Sequence, residues 1–267
     1  MAKSKEKDEN DEFMDAIEEP KQKKITRTIK WFNEYCTENK KEVKMICDLV
    51  ADSVANQFDM HVKSSNTEVF ALIFFVTFET IMDFLSQKQS SFNKFAFKIG
   101  KCVNIGFTNN TNIDNEKFGN FMPLMEYTGI NRNIIRDEVN TSDDKSEVNF
   151  IRWKQQNLTQ NENFCNQIQN QAAVKLGTEY GVQIVNNEAI IPIFCIFLDM
   201  CVYLVKTLYN EANMTEDGPS EYSISVLGLF ELFYSFDPEK AEEHIDFTPG
   251  IYMKLRGKSD LVATKED

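Results

Sequence analysis

Residues 66–85 read NTEVFALIFFVTFETIMDFL, and residues 186–205, 120 positions later, read NNEAIIPIFCIFLDMCVYLV. Each stretch opens on capping chemistry, Asn66-Thr67-Glu68 in one and Asn186-Asn187-Glu188 in the other. Such side-chain oxygens accept from the unpaired N–H groups of a helix's first turn. Each then runs apolar almost all round, pairing Phe74 with Phe194, Val76 with Ile196, Phe78 with Leu198 and Glu79 with Asp199. A helix of that kind is central and covered on several sides. A membrane span is the competing reading. However, residues 69–85 hold Glu79 and Asp83, and residues 189–208 hold Pro192, Asp199 and Lys206. A mid-span charge costs about 2.5–3.5 kcal/mol on insertion scales, so both stretches read as buried helices with no membrane partner.

Working outward, residues 25–36 form an amphipathic pattern on Ile25, Ile29, Trp31 and Phe32. Residues 42–58 form another on Val43, Ile46, Leu49, Val50 and Val54. Beyond the first apolar helix, Phe95, Phe97, Ile99, Val103, Ile105 and Phe107 alternate around Gly100-Lys101. Period two with a glycine break predicts a hairpin. The order then repeats. Residues 163–177 match 42–58, and Gly181-Val182 matches His61-Val62. Strand-like sequence follows at 222–236 and 244–248, and Ile105-Gly106-Phe107-Thr108 finds a counterpart in Ile245-Asp246-Phe247-Thr248. These readings predict a mainly helical α+β chain made of two tandem modules. The first module, with its leading helix, takes 25–120 and the second 161–263. A flexible charged tail (1–24), a polar exposed linker (121–160, with Asp143, Asp144 and Lys145) and a short tail (264–267) complete the chain.

Composition narrows the function. The net charge is −13 and the pI is near 4.8, which argues against a coat for nucleic acid, where Lys and Arg must neutralise phosphates. Cys36, Cys47, Cys102, Cys165, Cys195 and Cys201 show no C-x-x-C spacing, and His61 and His244 are the chain's two histidines. Clustered zinc ligands are therefore not expected, and the thiols read as buried and reduced. Residues 1–24 lack the apolar core of a signal peptide. Phosphate loops, nucleophile elbows, metalloprotease helices and calcium loops are missing. No catalytic, metal or cofactor residue is expected, and the chain reads as a non-enzyme. His61, in a turn, and His244, at a strand start, read as solvated or structural. Glu79 and Asp199 occupy one repeat position. They form a paired acid site if the copies pack pseudo-symmetrically, but a bond from each to a neighbouring group is the favoured reading.

The unit of helix, turn, apolar helix, hairpin and a strand ending in Phe-Thr-Pro resembles the HU/IHF family of bacterial DNA-bending proteins. Val226-Leu227-Gly228-Leu229-Phe230-Glu231-Leu232 looks like that family's glycine–phenylalanine strand entry. Phe247-Thr248-Pro249-Gly250 with Met253-Lys254-Leu255 looks like its junction with a last helix. The resemblance covers about 42–120 and 160–263, and is closer in the second copy. It implies two intertwined units around one core, formed either within the chain or across neighbouring chains. It also implies basic β-arms whose apolar tips wedge into the minor groove. Here the first arm shrinks to Ile99-Gly100-Lys101, with Gly100 at its tip. The second, with Pro238 at its tip, carries Asp237, Glu239, Glu242 and Glu243 against Lys240. Carboxylates there would repel phosphate, so the module is expected to lack the family's DNA grip.

HU/IHF-like proteins also occur among the virion-structure genes of crAss-like bacteriophages, which this chain resembles in its phenylalanine- and asparagine-rich style. That resemblance implies a virion component assembled in the bacterial host cytoplasm, such as a ring or collar subunit where head meets tail. Its partners would be further copies or neighbouring portal, tail or ring proteins, with the terminal tail and linker wrapping neighbours. The alternative is an architectural DNA-binding protein acting through Lys98, Lys101, Lys254, Arg256 and Lys258. A solvated surface is the simpler account of the last three.

Overall fold

A computed structural model describes residues 27–59, 62, 66–88, 94–99, 103–108, 122–127, 145–158, 162–214, 221–235 and 251–255. Helix α1 covers 27–35 and α2 covers Lys40–Phe58. Val43, Ile46, Cys47, Val50, Val54 and Phe58 form the buried stripe of α2. Asp59 ends this helix at φ 56, its N–H donating to the Ala55 carbonyl; aspartate tolerates this left-handed cap. The apolar helix α3, Val69–Lys88, follows. Strands β1 (Lys94–Ile99), β2 (Val103–Thr108) and β3 (Met122–Tyr127) then form an antiparallel meander in that order.

The second half repeats this order. Helix α4 is Lys145–Asn157, α5 is Glu162–Glu179, and a single 3₁₀ turn at Asn187–Ala189 leads into α6, Ile190–Ala212. Strands β4 (Glu221–Val226), β5 (Phe230–Ser235) and β6 (Ile251–Leu255) again pair in sequence order. The predicted cap is in place, since the Asn186 side chain accepts from the Glu188 N–H at 3.0 Å. Between α5 and that cap, Gly181 at φ 68 turns the chain so that the Val182 N–H reaches the Leu176 carbonyl at 2.9 Å. Glycine meets such a φ without a Cβ clash. The β4–β5 turn is tighter. Leu227 and Gly228 both have positive φ, 52 and 66, and the Leu229 N–H closes onto the Val226 carbonyl at 2.9 Å. Burial of the Leu227 and Leu229 side chains offsets the strain that a left-handed leucine carries.

Three sequence expectations are corrected. Residues 121–160 are not one exposed linker, because they contain β3 and α4. Phe150 and Trp153 of α4 are buried, and they pack on Phe58 with ring centroids 4.1 and 6.2 Å away. The match of 105–108 with 245–248 also fails. Residues 103–108 are the central strand β2, whose counterpart in the second sheet is β5, while β3 corresponds to β6. Finally, Met253-Lys254-Leu255 belongs to β6 and does not begin a helix, since the backbone of 251–255 pairs with β5. The tails, the acidic 236–250 stretch and all of 128–144 lie outside the described residues.

The repeats close on each other. Helix α2 packs more extensively on α6 than on its own neighbour α3, and α5 more on α3 than on α6, while α3 and α6 cross directly. Phe74 stacks on its repeat partner Phe194 at 4.8 Å and on Phe197 at 4.4 Å. The ring pairs obey the same pseudo-two-fold. Trp31 meets Tyr180 edge-on at 6.1 Å and Trp153 meets Phe58 edge-on at 6.2 Å, with 122 positions separating the members in each case. One apolar cluster spans both halves. The pairing left open between one chain and two is thus made within a single chain. The 187–212 segment has the length and apolarity of a span, yet 89% of its most apolar window is buried against protein.

Candidate functional site

The described basic residues of the DNA-binding alternative fall in different sheets. Lys98 lies in β1, an edge strand, at the register position opposite Asn104. Lys254 lies in β6, the edge strand of the other sheet, opposite Glu231. Gly100, Lys101, Pro238, Arg256 and Lys258 lie outside the described residues, as do His61 and His244. Topology separates the two arm assignments. Gly100 falls between β1 and β2, where the second repeat has its Leu227–Leu229 turn, whereas Pro238 falls between β5 and β6. The first-repeat counterpart of the Pro238 connection is therefore 109–121. That stretch carries Asp114 and Glu116 against Lys117, and 236–250 carries five carboxylates against Lys240. Both equivalent connections are acidic in sequence.

The carboxylates at the shared repeat position do not form a symmetric acid pair. Glu79 of α3 binds Lys175 of α5 through a 2.7 Å ion pair, with both side chains about one-quarter exposed. Asp199 is buried on α6. Desolvation, the largest single influence on Lys175, lowers its pKa, but the Glu79 hydrogen bond with the charges of Glu79, Glu179 and Asp83 carries it above the usual range. Around this pair stand Trp31, Tyr35, Phe75 and Tyr180. Tyr35 stacks on Trp31 at 5.3 Å and meets Phe75 edge-on at 4.8 Å. Burial, then the Glu79 charge, pushes the Tyr35 phenol up to about 12, and the same two causes raise Tyr180. The arrangement ties the repeats together, with a carboxylate satisfied across the α3–α5 contact. Sequence reading named Glu79 but not Lys175, which lies 96 positions away without a motif linking the two.

Comparison with protein-family models, curated proteins and solved structures finds no match. Among the described residues, Cys36, Cys47, Cys165, Cys195 and Cys201 are buried and in no disulfide. Burial pushes Cys36 up to about 12 and also raises Cys47 and Cys201, and a protonated thiol is a poor nucleophile. Among the described residues, no three His, Cys, Asp or Glu side chains converge as metal ligands do.

These groups set an alkaline limit. A thiol or phenol whose folded pKa exceeds its unfolded value keeps its proton longer in the native state. Stability is then intact below the unfolded values, about 9 for Cys and 10 for Tyr. It falls as pH rises from there through about 12, because the unfolded chain releases those protons first. Urea midpoints are expected to be level from pH 7 to about 8.5 and to drop continuously above pH 9. A midpoint that stays level to pH 11 would show that these groups ionise in the native fold.

Proposed function

We propose that this chain is a non-enzymatic structural subunit made of two tandem HU/IHF-like modules that pair with each other. Its place is in a phage virion, as a ring or collar component at the head–tail junction. The observation that carries the reading is the combination of an internally paired helical core with acidic connections at 109–121 and 236–250. The first matches the intertwined core that the family builds from two subunits. The second removes the positive charge that a groove-entering arm needs. Lys254, placed opposite Glu231, adds little to a DNA surface. Because the repeats already cover each other's apolar helices, assembly with neighbours must use outer surfaces. A heterologous contact between two such surfaces closes into a ring when its rotation permits.

Light scattering with and without a short DNA duplex at low salt tests this. The expected result is a mass indifferent to DNA. It is either a discrete oligomer or a monomer that joins a larger assembly when neighbouring virion proteins are added. A mass shift with DNA that added salt abolishes would instead make the chain an acidic architectural DNA-binding protein.

A further inference from the structure

The two repeats differ in charge on one exposed helix face. At the 122-position offset that relates Trp31 to Trp153, buried Val43, Ile46, Val50 and Val54 of α2 fall on buried Cys165, Ile168, Ala172 and Leu176 of α5. The two helices therefore turn equivalent positions outward. On α2 these include Lys41, Lys44, Asp48 and Asp52, whose counterparts on α5 are Asn163, Asn166, Asn170 and Val174. Four charges in one copy are replaced by three amides and a valine in the other. Between the terminal Glu162 and Glu179, every exposed residue of α5 is uncharged, with Gln167, Gln171 and Thr178 completing the stripe. Lys175, the cation of this helix, is one-quarter exposed and paired with Glu79 at 2.7 Å. The stripe runs for about four turns in a chain that is 27% charged, so solvation alone does not account for it.

A second exposed segment lies beside it. The Val182 N–H donates to the Leu176 carbonyl at 2.9 Å, and the Asn187 side-chain amide reaches the Asn170 side chain at 3.4 Å. Residues 182–187 therefore run back along α5, and Val185 stands level with the turn that holds Val174. Val174 is 65% exposed and Val185 fully so. Glu188, where this segment ends, is paired with Lys154 at 2.9 Å.

The charge of the chain selects what can cover such a strip. At −13, two copies repel each other, and a contact that buries unpaired charge is costly. A contact across α5 meets neither obstacle at its centre. Each Asn or Gln amide carries both donor and acceptor, so the strip is complementary to itself, and antiparallel α5 helices align their dipoles favourably. With the return segment, the strip measures about 27 by 15 Å, and a pair would bury on the order of 1,000 Å², the low end for specific association. We infer that α5 and residues 182–187 form a self-pairing surface, on which a second copy of this chain docks about a two-fold axis beside Val174. Such a contact is isologous and stops at a dimer. It goes beyond the virion reading and does not depend on it.

Sedimentation equilibrium of the full chain, from about 1 to about 200 µM, tests the inference. A doubled mass is expected at the upper concentrations, with a dissociation constant that falls about threefold from 0.05 to 0.5 M salt as mutual repulsion is screened. Val174→Asp, which gives α5 the carboxylate that α2 has at Asp52, sets two like charges across the axis and is expected to weaken pairing at least about tenfold. Val174→Lys should do the same, while an equal mixture of the two variants should regain the dimer. The position is exposed, so an unchanged urea midpoint is expected to show that each variant folds. A chain that stays monomeric throughout would overturn the inference. So would an association, of any size, that Val174→Asp leaves intact, which would place the contact on another surface and leave the structural-subunit reading standing. A mixture that fails to regain the dimer would overturn the two-fold arrangement.

Discussion

Replacing Phe74 with alanine is expected to destabilise the chain by about 3–5 kcal/mol and to weaken both repeats together. The ring is fully buried at the crossing of α3 and α6. It stacks on Phe194 and Phe197 and meets Phe230 of β5 at 6.0 Å. Removing it opens a cavity bounded by both halves, and neither half can collapse into the space alone. Two tryptophans, one per repeat, report the result. Trp31 packs on Phe75 and Tyr180, and Trp153 on Phe58. Single-tryptophan variants, Trp31→Phe and Trp153→Phe, should unfold in urea at one shared midpoint in the Phe74→Ala background. Two separated midpoints would mean that the repeats have independent cores, contrary to the packing described above.

Much of the fold is legible in the sequence because its strongest signals are local. The apolar runs around Phe74 and Phe194, the stripe from Val43 to Val54 and the alternation from Phe95 to Phe107 each carry their own period. The repeat offset is legible for the same reason. Helix α4 is less visible, because Phe150 and Trp153 are isolated in polar sequence that averages to a linker. One sign of it was available: the chain's two tryptophans lie 122 positions apart, close to the offset of the helices, which marks α4 as the counterpart of α1. Strand correspondence is obscured because Ile-x-Phe-Thr is a short pattern found at both 105–108 and 245–248. Hydrogen-bonded register assigns strands, and four residues of sequence do not determine it.

The candidate site was legible in its charges and not in its contacts. That both equivalent connections are acidic follows from composition once the topology has aligned 109–121 with 236–250. The ion pair of Glu79 with Lys175 depends on α5 packing against the other repeat's α3, a relation that no sequence spacing encodes. The favoured reading of Glu79, as a carboxylate bonded to a neighbouring group, agrees with the 2.7 Å contact.

Cutting the chain between β3 and α4 is expected to leave the two halves together. A protease site inserted into residues 128–144 would give fragments that carry α1–α3 with the first sheet and α4–α6 with the second. Helices α3 and α6 are buried on nearly every side, largely by each other and by the opposite repeat's α2 and α5. A separated half would therefore expose an apolar surface far beyond what a soluble monomer tolerates. The cut protein should elute as one species and unfold in one transition whose midpoint now rises with protein concentration. Losing the tether converts a millimolar effective concentration into the actual one. At micromolar protein that thousandfold change is worth about 4 kcal/mol. Each fragment expressed alone should aggregate or remain unfolded, and mixing the two from denaturant should restore the transition. If either fragment alone unfolds cooperatively, or if the cut halves separate without denaturant, the shared core is not what holds this fold. The repeats would then be free to pair across chains, and a ring could form by exchange of halves instead of through outer surfaces.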